Sequence, residues 1–253
     1  MQVRRFSMGT ASNLIRVEPT AQKIQSLEEF LVTTSVDPTH RQYKGFEDDL
    51  RGDLNPTHLI EQFFWVEERW LDFPEFFEEY WRLNEIKLRE HFHQKFLLLG
   101  KEAKRHLEAR LYRTLFGFLT EYHAVMLIGH KFSPLGYAVV RGSDLDRVGV
   151  DCQIREAVSE LLYNIHIFVD SARANRYRSG KLAFKSSNKL EGIHIDFPYR
   201  IKPGCIHSLR MLPNGFGVYT EEYVDHLVHV IKNRVAIGRK QLPIDCLRGL
   251  LFK

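Results

Sequence analysis

Tyr137-Ala-Val-Val-Arg-Gly-Ser-Asp-Leu-Asp-Arg-Val-Gly-Val-Asp-Cys-Gln-Ile154 is the stretch on which the fold turns. Tyr137 to Val140 and Val148 to Ile154 are short runs rich in β-branched residues, and Arg141-Gly-Ser-Asp-Leu-Asp146 between them is turn chemistry, so the two runs predict a β-hairpin. Downstream, Tyr163-Asn-Ile-His-Ile-Phe-Val169 reads as a third strand ending at Asp170, and Gly192-Ile-His-Ile-Asp-Phe197 as a fourth. Residues 155 to 162 fit either a short helix or a bulged connection, and Ser171 to Arg178 fits a helix. Phe216 to Tyr219 is a further short strand, and Thr220-Glu-Glu opens a last helix through Val224, Leu227, Val228 and Ile231.

Upstream of Tyr137 the period is helical. Asn55-Pro56 supplies an N-cap and a first-turn proline for a helix from about Thr57. Asp72-Phe-Pro-Glu75 is a capping box, and the helix it opens is expected to run to Gly100, with Phe76, Phe77, Tyr80, Leu83, Leu88, Phe92 and Phe96 on its buried side. A third helix spans Lys101 to about Ile128, closed by Gly129. Residues 1 to 54 carry no chemical motif, and Glu47-Asp-Asp49 reads as a solvated loop. The expectation is an α+β protein in which an N-terminal helical layer, within 1–129, packs on a small mixed β-sheet, within 130–253.

The 253 residues hold 44% hydrophobic and 27% charged side chains, which fits a globular protein and excludes disorder, collagen and coiled coil for the whole. Charge is uneven: residues 1–126 hold 17 cations and 20 acids, residues 127–253 hold 19 and 12. Cys152, Cys205 and Cys246 form no CxxC pair, so a reducing cytoplasm is the expected location. Arg4 and Arg5 precede no apolar stretch of signal-peptide length, and no apolar run approaches a membrane span. Nothing matches HExxH, a P-loop, GxGxxG or GxSxG, which removes those enzyme classes.

The order helix, three strands, helix, strand, together with Ser143-Asp-Leu-Asp-Arg-Val-Gly-Val-Asp151, resembles the PD-(D/E)XK phosphodiesterase core over roughly residues 108 to 200. That resemblance implies a nucleic-acid-processing protein: a divergent Mg²⁺-dependent endonuclease of restriction or defence type, or a member with a weakened site. It implies Asp151 and Asp170 as Mg²⁺ ligands on neighbouring strands, with Glu121 or Glu108 on the preceding helix as a third oxygen donor. The third motif of the family is an acid, any residue, then lysine; here Asp170-Ser-Ala172 puts alanine in that place and Arg173 one position later. Lys181 or Lys185 are the lysines that follow. The competing reading of Asp170 is a helix N-cap.

Three further patterns bear on function. Arg173, Arg176, Arg178, Lys181, Lys185 and Lys189 occur without an acid among them and with Tyr177 and Phe184 interleaved, which suits a phosphate backbone. His194-Ile-Asp196 places two metal-type ligands on one strand face, as in facial-triad iron oxygenases, with His226 or His229 as the distal candidate. His91 and His93, two apart on a helix, point to different faces and make no zinc pair. A non-catalytic binding or assembly subunit is the alternative, with a protein partner or a second copy meeting the helical half through Trp65, Trp70 and Trp81.

Overall fold

The computed structural model describes residues 14–44, 46, 50–156, 161–170, 190–199 and 208–237. The chain forms two compact units. One comprises Met1–Glu28, Thr120–Leu212 and Gly217–Lys253; the other comprises Glu29–Leu119 and Pro213–Phe216. They interleave along the chain, whereas the sequence reading divides it once, at 129/130. The class is α+β as expected, with one helical unit and one unit that holds a mixed sheet.

In the first unit a five-stranded sheet has the order β1 (Ile15–Arg16), β2 (Tyr137–Arg141), β3 (Cys152–Glu156), β4 (Leu162–Val169), β5 (Ile193–Tyr199). Neighbours are antiparallel except β4 and β5, which run parallel with Tyr163 opposite Ile193 and Val169 opposite Tyr199. The predicted hairpin is present, Val140 pairing with Gln153, but its connection is not a simple turn: Ser143–Arg147 coils into a short helix. Residues 155 and 156 continue β3 as strand. Cys152, Ile154, Tyr163, Ile165 and Ile195 are buried, and so are Gln153, Asn164 and His166 between them, so β3 and β4 are covered on both faces. β6 (Leu209–Met211) and β7 (Gly217–Tyr219) form a separate antiparallel pair, followed by a helix over Glu221–Ile237.

Two helices depart from expectation. Ala21–Thr33 is helical, with Ile24, Leu27 and Leu31 buried on one stripe, although no helix is expected there. The helix Ala103–Phe132 does not stop at Gly129 but runs through it. A Cβ there would lie 2.6 Å from the Val17 carbonyl oxygen, so this glycine lets the chain beside β1 lie against the helix.

The helical unit is built on Pro56–Ile60, Phe73–His91, His93–Leu99 and residues 103–119. The Asp72 capping box forms in both directions. The helix it starts ends at His91 rather than Gly100, because Phe92 leaves helical geometry (φ −112°, ψ 28°). That break turns Phe92 and Phe96 together onto Phe46, with ring centroids 5.3 and 6.0 Å apart. Leu83, expected on the buried side, is 50% exposed. Of the tryptophans, Trp65 is buried, while the half-buried Trp70 and Trp81 contact rings of this unit, Trp70 at 5.7 Å from Phe30 and Trp81 stacked on Phe77. No helix among the described residues is long and apolar enough to cross a membrane.

Candidate active site

The connection from β2 to β3 delivers Asp151. After Arg141 at the end of β2, the Ser143–Arg147 turn closes with Gly149 in left-handed geometry (φ 78°), and its N–H donates to the Asp146 carbonyl at 2.7 Å. Val150 N–H returns to the Leu145 carbonyl at 2.9 Å. Leu145 and Val150 then bury against Val140, with Leu14, Val148 and Leu190 packed around them. This small apolar knot, not the sheet alone, sets where the strand begins.

Asp151 stands where the β3–β4 ladder breaks. Its N–H donates to the Ile165 carbonyl at 3.0 Å, and its carboxylate accepts the Ile167 N–H. The chain thus holds one oxygen of an acid against the backbone of β4.

Glu121, on the long helix, shares this neighbourhood. Burial pushes its carboxyl well above the ordinary carboxylate range, the negative charge of Asp151 pushes further, Arg141 pulls back and Asp146 adds to the rise. The Cys152 thiol is raised by burial and then by Asp151 and Glu121, and the Tyr199 phenol is pushed up to about 12 by burial and by both acids. Side chains from β3, β5 and β7 therefore feel the charge of both Glu121 and Asp151, Tyr219 included. Arg141, 5% exposed, is the buried cation that acts on Glu121.

Of the acids expected to act together, Glu121 and Asp151 meet electrostatically. Asp170 lies three residues beyond Ile167, roughly 10 Å along the strand at 3.3 Å per residue. Asp170 is instead tied through its N–H to the Tyr199 carbonyl at 2.7 Å, at the rim of the same cluster. Glu108 lies in the part of the helix that belongs to the other unit. Arg173, Arg176, Arg178, Lys181, Lys185 and Lys189 lie outside the described residues, as does the Ser171–Arg178 helix.

His194 and Asp196 lie on β5 and His226 and His229 on the last helix, yet among the described residues no group of three or more His, Cys, Asp or Glu side chains is arranged to hold a metal ion. The iron triad is therefore not assembled there. Sequence reading missed Arg141 and Asp146, which it assigned to a turn, and Tyr199. Asp146 was within sight, five residues before Asp151 in the motif. Arg141 and Tyr199 gave no signal, since only pairing of the strands brings their ends together.

Comparison with known proteins adds a family. The model of the TaqI restriction endonuclease matches residues 24–204. The type II restriction enzyme TthHB8I of Thermus thermophilus is 25% identical over 89% of this chain and 94% of its own length. The type II restriction enzyme TaqI of Thermus aquaticus is 27% identical over 81% of this chain and 86% of its own length. No solved structure matches the chain.

Proposed function

Because the chain belongs to the TaqI restriction endonuclease family, we propose that it is an endonuclease hydrolysing phosphodiesters of DNA, with Asp151 and Glu121 as its principal carboxylates, and that its sheet is a divergent PD-(D/E)XK core. The observation that carries the residue assignment is the mutual effect of the two acids beside a buried arginine. Like charges are brought together at a cost in stability, and such arrangements concentrate at functional sites.

The donor set suits a hard divalent cation. Two carboxylates with one buried guanidinium beside them are short of positive charge, and Mg²⁺ is commonly held by one or two protein carboxylates with water and phosphate oxygens completing its shell. Asp151 and Glu121 would hold it. When bound, Mg²⁺ polarises the phosphodiester and lowers the pKa of a coordinated water. The chain's own part is positional: Ile167 N–H fixes the Asp151 carboxylate, and Arg141 offsets part of the negative charge. Arginine stays protonated, so Arg141 balances charge and does not act as a base. Ala172 occupies the place of the lysine in the PD-(D/E)XK pattern.

The test is cleavage of plasmid and linear DNA with Mg²⁺ or Mn²⁺. Asp151→Asn should lower kcat about a hundredfold or more with circular dichroism unchanged, and Asp170→Asn should lower it less. A wild type that cuts no DNA with either metal would remove the endonuclease reading. Full activity in Asp151→Asn would remove only the residue assignment.

A further inference from the structure

A directed chain of hydrogen bonds crosses three strands and ends on the backbone just before Asp151. Arg155 Nε donates to Gln153 Oε1 at 2.7 Å, and Gln153 Nε2 donates to Asn164 Oδ1 at 2.8 Å. Asn164 Nδ2 donates to the Glu191 carbonyl at 3.1 Å and lies 3.4 Å from His194 Nε2. His194 Nδ1 is 2.8 Å from His166 Nε2, with the two rings stacked at 14°. His166 Nδ1 is 2.5 Å from the Gly149 carbonyl oxygen. Gln153, Asn164 and His166 are buried, while His194 is exposed.

The two carbonyls at the ends fix the proton positions between them. Gly149 O can only accept, so His166 Nδ1 carries a proton; in the neutral ring its Nε2 then accepts, and His194 Nδ1 must donate. Glu191 O likewise orients the Asn164 amide with its NH₂ toward His194, whose Nε2 accepts. The Leu190 carbonyl lies 3.3 Å from the same Nε2. All donors run one way, from Arg155 to Gly149.

We infer that His194 is a positioning residue for Asp151, acting through His166 on the Gly149 carbonyl. The segment from Gly149 to Asp151 is gripped on its N–H side by Asp146, Leu145 and Ile165, and on the Gly149 carbonyl by His166. Deleting the His194 donor removes one of the contacts that hold the His166 ring and lets that ring change tautomer or turn, which releases Gly149 two residues before the carboxylate. His194 is exposed, so its truncation opens no core cavity, and the effect falls on placement rather than packing. The catalytic half of this inference rests on the assignment of Asp151 above.

The test uses the full chain as wild type, His194→Ala and His194→Asn, since the asparagine amide nitrogen stands where histidine Nδ1 stood. Long-range ¹H–¹⁵N spectra should show both His166 and His194 protonated at Nδ1 in the wild type. His194→Ala should move the Gly149 carbonyl ¹³C resonance and lower kcat about tenfold, the lower range for loss of a supporting contact, with KM and thermal midpoint unchanged; His194→Asn should restore both. A His166 protonated only at Nε2, an unmoved Gly149 carbonyl in His194→Ala, or no rescue by asparagine would overturn the relay. If the wild type cuts no DNA, the endonuclease reading fails while the spectra still decide the relay.

Discussion

Glu121 is held in a place that disfavours its charge. Its carboxyl is raised from 4.5 by burial and by Asp151, so the folded chain binds a proton that the unfolded chain releases as pH climbs above 4.5, and stability falls over that interval up to the folded value. Glu121→Gln keeps the shape and removes the charge. In the presence of a chelator it should raise stability at pH 7 by about 1 kcal/mol, a Tm gain of roughly 2–4 °C for a chain of this size, and the gain should vanish below about pH 4; calorimetry across pH reads both. His123 shows the opposite sign. Fully buried, its Nε2 donates to Glu28 Oε1 at 3.0 Å, and Glu28 also pairs with Arg210. Desolvation lowers its pKa from 6.5 even against the pull of Glu28, so the unfolded chain takes up a proton first as pH falls below 6.5 and stability is lost from there down through the folded value. His123→Gln, whose Nε2 can still reach Glu28, should flatten the dependence of Tm on pH below about 6.5. An unchanged slope would show that His123 does not govern acid sensitivity. Asp151 was legible as an acid after a small-apolar pair, whereas the burial that makes Glu121 and His123 informative was not, because nothing in the identity of one residue reports its dielectric surroundings.

At the scale of elements, glycine and proline were read by local rules, and tertiary contact overruled one of them. Gly129 has the chemistry of a helix stop, but the helix passes through it and the position is used for close approach of Val17 and Pro19. Helix propensity alone says Gly129→Ala should stabilise by up to about 1 kcal/mol. The Val17 carbonyl 2.6 Å from the new Cβ reverses the sign, and we expect a loss of about 1–3 kcal/mol, read as a lower denaturant midpoint at unchanged slope. The capping box at Asp72 and Glu75 was right because its partners lie within three residues of each other. The end of that helix was wrong because Phe46, the ring that draws Phe92 and Phe96, lies nearly fifty residues away. Ala21–Thr33 was missed although Ile24, Leu27 and Leu31 carry its spacing.

For the whole molecule, the uneven charge remains the sequence feature that bears most on binding. Six cations from Arg173 to Lys189 lie in a segment without acids. If about four of them meet phosphates of duplex DNA, log K should fall with log salt at a slope near −3.6, and Arg176→Glu, Arg178→Glu and Lys185→Glu together should flatten that slope and weaken binding at all sequences alike. Fluorescence anisotropy in the presence of a chelator measures it; equal slopes would assign these residues to solvent. The amino-acid sequence by itself determined the α+β class, the positions of β2 to β5 and the acid at the mouth of β3, because alternation, turn chemistry and caps act over a few residues. Only tertiary structure decided which acids are neighbours. Antiparallel pairing of β3 with β4 sets Asp170 along the strand from Asp151, while the packing that brings Glu121 within electrostatic reach of Asp151 joins residues thirty apart, and no local spacing encodes that distance.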